Sequence, residues 1–218
     1  MYRSVIFDMD GVLLDTEKIY QHFWHQAAKD LGVVLTDEMA FSLRSLDAGL
    51  AAERFAGWFG DTQIYAKMKE HRITLMDPYL ESHNPVPKAG VRETIAFLKE
   101  KDIPYAIATA TKEDKAWDCL EMAGIADLFD VIVSAKTVPR GKPFPDVYLY
   151  ACRAIGRDPK ECLAVEDSPN GLLSARRAGC VTAFVPDLTQ YTKELEDRTD
   201  YALTKLTDLC NEEYLLCK

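Results

Sequence analysis

Val5-Ile6-Phe7-Asp8-Met9-Asp10-Gly11-Val12-Leu13-Leu14-Asp15-Thr16 runs from a short apolar segment into two carboxylates separated by one residue, and then a glycine. A Val/Ile/Phe run of this kind suits a strand buried on both faces of a parallel sheet. Asp8 and Asp10 then stand at the carboxyl end of that strand, the edge where open α/β sheets place their ligands. Asp-x-Asp-Gly is also an ordinary strand-to-loop turn, with Gly11 at positive φ and the aspartates bonding the backbone. The rest of the chain decides between a turn and a site.

Outward from this stretch the pattern is first helical. Ile19, Phe23, Trp24, Ala27 and Leu31 recur at helical spacing until Gly32, and further helices are expected from Thr36 to Arg44, Ala48 to Phe59 and Thr62 to Glu81. His83-Asn84-Pro85-Val86-Pro87 reads as a linker. A helix from Gly90 to Lys101 follows, and strands and helices then alternate. Strands are expected at Pro104–Thr109, Asp130–Ser134, Cys162–Val165, Val181–Val185 and Tyr201–Leu203, with helices at Lys112–Met122, Pro145–Ile155, Asn170–Ala178 and Leu206–Leu216. Such alternation predicts an α/β fold, a doubly wound, Rossmann-like parallel sheet covered by helices. The helical block interrupts it, so the expected domains are a core of residues 1–14 and 83–218 and an inserted helical cap of residues 15–82. A block that leaves from the Asp8/Asp10 edge can hang over that edge as a lid.

Composition narrows the function classes. Of 218 residues 48% are hydrophobic and 28% charged, a balance suited to a globular protein with a substantial core. The formal net charge of −9 without a basic run argues against nucleic acid and anionic lipid as partners. No stretch approaches about eighteen consecutive apolar residues, and no secretory leader is recognisable, so a cytoplasmic protein is expected. Cys119, Cys152, Cys162, Cys180, Cys210 and Cys217 show no C-x-x-C spacing and read as reduced, mostly buried thiols.

Chemistry could converge at several further places. Thr109-Ala110-Thr111-Lys112 ends a strand just before a helix, which suits either an anion site or simple N-capping. In Arg140-Gly141-Lys142-Pro143-Phe144-Pro145-Asp146 the glycine and prolines restrict the backbone, so Lys142 could be aimed at a fixed target. Leu163-Ala164-Val165-Glu166-Asp167-Ser168-Pro169-Asn170-Gly171 repeats the opening arrangement, an apolar strand ending in two acids. Those acids could be a helix N-terminal charge pattern. If the two strands are neighbours, up to four carboxylates meet at one edge, and a hard divalent ion with oxygen ligands, Mg²⁺ foremost, would relieve their repulsion. In the helical block, Arg44, Arg54, Lys67, Lys69 and Arg72 could offer positive charge to a substrate or lie on solvated faces.

Taken in order, DMDGVLLDT, ATATK, GKPFPD and VEDSPNG resemble the motifs of the haloacid dehalogenase superfamily, in the branch of β-phosphoglucomutase and small sugar-phosphate phosphatases. The resemblance implies that Asp8 is a nucleophile taking up a phosphoryl group and Asp10 a general acid and base. It further implies that Thr109 and Lys142 bind phosphoryl oxygens, with Met9, Ala110 and Thr111 beside them. Asp8, the carbonyl of Asp10, Glu166 and Asp167 would hold Mg²⁺, and Arg44 and Arg72 would face the substrate.

The activity so implied is an Mg²⁺-dependent phosphatase of small phosphorylated sugars or similar metabolites. A phosphohexomutase is the alternative. Mutases of this branch carry a histidine early in the first cap helix, where this chain has Tyr20, with His22 two residues on. Dehalogenating relatives lack the match to Asp10 and Gly11. A receiver-like signalling module would need an acceptor aspartate after the third strand, where Val133-Ser134-Ala135 stands. The expected partner is a small phosphate ester, and a self-contained core and cap suits a monomer.

Overall fold

A computed structural model describes residues 2–211 of the chain. Six parallel strands form one sheet in the order β3-β2-β1-β4-β5-β6. They are β1 (Ser4–Phe7), β2 (Tyr105–Thr109), β3 (Ile132–Ser134), β4 (Cys162–Glu166), β5 (Val181–Phe184) and β6 (Tyr201–Ala202). Alternate residues of the strands enter two cores. Val5, Phe7, Ile107, Leu163 and Val165 pack on one face with helices α5 (Val91–Glu100) and α6 (Glu113–Met122). Ile6, Ala106, Ala108 and Ala164 pack on the other with α7 (Asp146–Ala154) and α8 (Pro169–Ala178). The expected doubly wound α/β sheet is therefore present, covered on both faces as parallel strands require.

After β1 and ahead of α5 lie α1 (Glu17–Asp30), α2 (Asp37–Ser42), α3 (Ala48–Phe59) and α4 (Ile64–Ser82), and no strand. This insertion has an apolar cluster of its own around Ala27, Leu43, Ala51, Phe55, Ile64 and Met68. Phe55 is fully buried there, with its ring 5.3–5.8 Å from those of Trp24, Trp58, Phe59 and Tyr65. Phe23, Met76 and Leu80 instead join Val12, Leu13 and Leu14 of the sheet's core. The two chain crossings into the insertion run side by side. The Asp15 amide donates to the Val86 carbonyl at 2.8 Å, and the Lys88 amide to that of Leu13 at 2.9 Å.

Most expected elements shift by only a residue or two at their ends. The informative shift is in the helix expected to reach Arg44, which stops at Ser42. Ser45 sits at φ 56°, a left-handed conformation that a helix cannot contain, so Arg44 lies in a loop aimed at the sheet edge. At the other end Leu206–Cys210 is a short 3₁₀ helix; the remainder of the expected terminal helix, and Cys217, fall outside the described residues. The five described cysteines are free. No helix among the described residues is long and apolar enough to cross a membrane.

Phe55→Ala removes the centre of the insertion's own cluster, for which such truncations cost about 3–5 kcal/mol. Urea denaturation should show a loss of that size, and a change below about 1 kcal/mol would mean the cluster does not hold the insertion together.

Candidate active site

The register of the sheet fixes the site. Phe7 pairs with Ile107 on one side and Val165 on the other, so Asp8, Ala108 and Glu166 arrive together at the carboxyl edge. The chain leaves β1 for β2 on one side and later returns to β4 on the other. This makes the β1/β4 gap a topological switch point, where such sheets open a crevice.

Lys142 is wholly buried in that crevice. Its ammonium donates to Asp8 Oδ1 at 2.7 Å, to Glu166 Oε1 at 2.6 Å and to the Ala108 carbonyl at 3.0 Å, which uses all three protons. Burial disfavours its charge, but Asp8 and Glu166 outweigh burial and hold its pKa above the ordinary value. Glu166 is fixed in turn by the Tyr148 hydroxyl on Oε1 at 2.6 Å and the Ser168 hydroxyl on Oε2 at 3.1 Å. Ser168 also caps α8 by accepting the Gly171 amide at 3.1 Å. A Cβ on Gly171 would collide with the Glu166 carboxylate, so this close packing requires the glycine.

Asp8, Glu166 and Asp167, all buried, present carboxylate oxygens within 4.8 Å of one another. Burial and then the charge of Glu166 push the Asp8 pKa up to about 8, against the lowering effect of Lys142. Burial also raises Asp167 well above the usual carboxylate range, although Arg44 opposes it. The Asp167 Oδ1 atom is buried without a hydrogen-bond partner. A buried acceptor of this kind, in an all-oxygen set of three acids, fits a hard divalent cation. At Gly11, with φ 83°, the turn after β1 passes close to Asp167, and a Cβ there would strike that carboxylate.

Asp10 is held apart from this group. Its Oδ1 accepts from Thr16 at 2.6 Å and its Oδ2 from Thr111 at 2.9 Å, while the Tyr20 hydroxyl lies 3.4 Å from that of Thr111. Burial raises its pKa against the opposing hydrogen bonds of Thr16 and Thr111. Thr109 is buried, and its hydroxyl accepts the Thr111 amide at 3.0 Å; it closes the turn and does not cap α6. Met9 is buried, with its side chain in the core beside Val12 and Leu13.

A cavity of about 800 Å³ opens between sheet edge and insertion, lined among others by Asp10, Ala110, Lys69, Arg72 and Lys136. The Arg72 guanidinium stacks on Tyr20 and Trp24, 4.9 and 4.6 Å from the ring centres, and its Nε is buried without a partner. Arg44 follows a different course. Its guanidinium pairs with Asp167 and with Glu17 at 3.1 Å, and the Ser45 hydroxyl beside it is 3.5 Å from Asp8 Oδ2. The loop carrying both is latched to the sheet edge. Asn170 donates to the carbonyls of Ser42 and Arg44 at 3.2 and 2.8 Å, and Asp47 accepts the Gly141 amide at 2.9 Å. Arg54 bonds the Ser42 carbonyl inside the insertion and Lys67 pairs with exposed Asp61, so neither belongs to the site.

The model of the haloacid dehalogenase-like hydrolases matches residues 2–179. The chain belongs to this family. Among relatives of this hydrolase, a putative phosphatase YhcW of Bacillus subtilis is 31% identical over 98% of this chain and 100% of its own. Hexitol phosphatase B of Escherichia coli is 29% identical over 97% and 96%. The structure of β-phosphoglucomutase from Clostridium difficile superposes with a TM-score of 0.79 over 98% of this chain and 95% of that one, at 21% identity, a likeness of fold. The receiver-like reading is set aside by the family match.

In the sequence Tyr20 stands out only as the residue where mutases carry a histidine, and Thr16, Glu17, Ser45, Tyr148 and Ser168 enter the site without having been singled out from sequence. Only Thr16 and Glu17 carried a signal, their place at the end of the Asp-x-Asp-Gly turn.

The raised carboxylates give a pH signature in the metal-free protein. An acid whose folded pKa exceeds its unfolded value binds its proton more readily when folded, so its stabilisation is present at low pH and lost on titration. With Asp8 at about 8 and Glu17 at about 7, both raised first by burial, thermal stability in EDTA should fall between pH 5.5 and 8.5. The slope should flatten in Asp8→Asn; a melting temperature that rises over this range in the wild type would contradict the burial of these acids.

Proposed function

We propose that this hydrolase is an Mg²⁺-dependent phosphatase of small phosphorylated sugars or similar metabolites, acting through a phosphoryl group carried on Asp8. The observation that carries the reading is the meeting of Asp8, Lys142, Glu166 and Asp167 at one sheet edge, with Asp10 separately held beside them. Residues 15–82 serve as the cap over a core of 1–14 and 83–218. Two relatives named phosphatases support water as the final acceptor.

Asp8 Oδ1 is engaged by Lys142, which leaves Oδ2 to attack phosphorus. As the new O–P bond forms, the bond from phosphorus to the ester oxygen breaks, and Asp10 gives that oxygen its proton. A water then attacks the phosphoryl group while Asp10 takes the proton back, releasing inorganic phosphate and restoring Asp8. Lys142 offsets charge on Asp8, the Thr109 hydroxyl retains a proton for a phosphoryl oxygen, and the amides near Met9 and Ala110 orient the group. Asp8, the Asp10 carbonyl, Glu166 and Asp167 would hold Mg²⁺, which when bound neutralises phosphate charge facing the attacking carboxylate. Arg72 and Lys69 face the remainder of the substrate across the cavity.

With Mg²⁺ and a panel of hexose and hexitol phosphates, inorganic phosphate should be released, and EDTA should stop it. Asp8→Asn should lower kcat by on the order of 10⁴-fold. Isomerisation without phosphate release would establish the mutase instead.

A further inference from the structure

Arg44 belongs to the insertion, yet its side chain is buried among the acids of the sheet edge. Nη2 pairs with Asp167 Oδ2, Nε with Glu17 Oε2 at 3.1 Å, and Nη1 donates to the Thr189 hydroxyl at 2.5 Å. Asp187 Oδ2 lies 4.0 Å from Nη2. We propose that Arg44 is a tethered counter-cation of the acidic centre, which competes with the divalent metal for Asp167 and withdraws onto Glu17 and Asp187 when metal enters. The inference rests on the reading that Asp8, Glu166 and Asp167 hold a metal.

Charge count and geometry both lead to it. With all three carboxylates ionised, as metal binding requires, they bring three negative charges, and among the described residues only Lys142 and Arg44 touch them with positive ones, which leaves one negative charge before the metal is counted. A divalent ion would overshoot to one positive charge with Arg44 in place, and reach neutrality with Arg44 withdrawn. Lys142 is locked by three acceptors and cannot yield. Arg44 can, because Glu17 and Asp187 are carboxylates outside the triplet and already within reach. Its backbone need not move, since Asn170 pins the Arg44 carbonyl at 2.8 Å. The exchange is therefore a side-chain rotation, with like-charge repulsion at short range as its driving force.

The test reads metal binding on the substrate-free full chain. Free Mn²⁺ counted by EPR should give a dissociation constant on the order of tenfold tighter for Arg44→Gln than for wild type, and weaker for Glu17→Gln, which removes the fallback partner. In wild-type protein the Arg44 Nε–Hε resonance, assigned by its loss in Arg44→Lys, should shift during Mg²⁺ titration with the midpoint of metal binding. Unchanged or weaker affinity in Arg44→Gln overturns the proposal. So does an Arg44 resonance that stays fixed at saturating Mg²⁺, whether or not Arg44→Gln folds, because a distant field effect would alter affinity without moving the side chain. Absence of Mn²⁺ binding in every variant would overturn the metal reading and this inference together.

Discussion

A lysine ammonium removed from water is the constraint around which this sheet edge is arranged. Desolvating one cation costs several kcal/mol unless good partners compensate, and removing a partner leaves that cost exposed. Lys142 meets the condition with Asp8 directly after β1, Ala108 from β2 and Glu166 from β4. The three acceptors converge only in the observed register, because a one-residue slip would send alternate side chains to the opposite face. The lysine loop is braced from behind as well. Ser174 donates to the Phe144 carbonyl at 2.5 Å and Arg177 to that of Pro143 at 2.9 Å, so α8 holds both the acidic pair and the loop that answers it.

The insertion reaches the same edge through a five-residue turn, residues 43–47, as well as through Tyr20 of α1. Its latches are Asn170 of α8 and Gly141 of the lysine loop. These bonds join the insertion directly to the segments that position Lys142 and Asp167. The paired backbones of residues 13–15 and 86–88 hold the base of the insertion against the sheet.

What was legible in the sequence, and what was not, follows from the range of the forces involved. Strands buried on both faces must be apolar throughout, so Val5–Phe7 and Leu163–Val165 announced themselves, and acids directly after them could only lie at the carboxyl edge. The haloacid dehalogenase resemblance rested on those places and the family match agrees with it. Tyr148 and Ser168 could not be found this way. They are a helix residue and a helix cap by every local criterion, and only the fold brings them to Glu166. Arg44 was visible as a cation but not as an ion-paired one, since the left-handed Ser45 that turns it inward has no signature of its own.

Partner chemistry explains how two aspartates one residue apart take different parts in the proposed reaction. The ammonium of Lys142 is a donor only, so Asp8 Oδ1 cannot carry a proton without losing that bond, and any proton Asp8 takes up must go to Oδ2. Asp10 is bound instead by two hydroxyls, and a hydroxyl can donate or accept. When Asp10 is ionised, Thr16 and Thr111 both donate to it. When it is protonated, the Thr111 hydroxyl can reverse, accepting from Asp10 and turning its own proton toward the Tyr20 oxygen 3.4 Å away. Either state of Asp10 is thereby satisfied within the same heavy-atom positions, which is what a residue that gives up a proton and takes it back within one turnover requires.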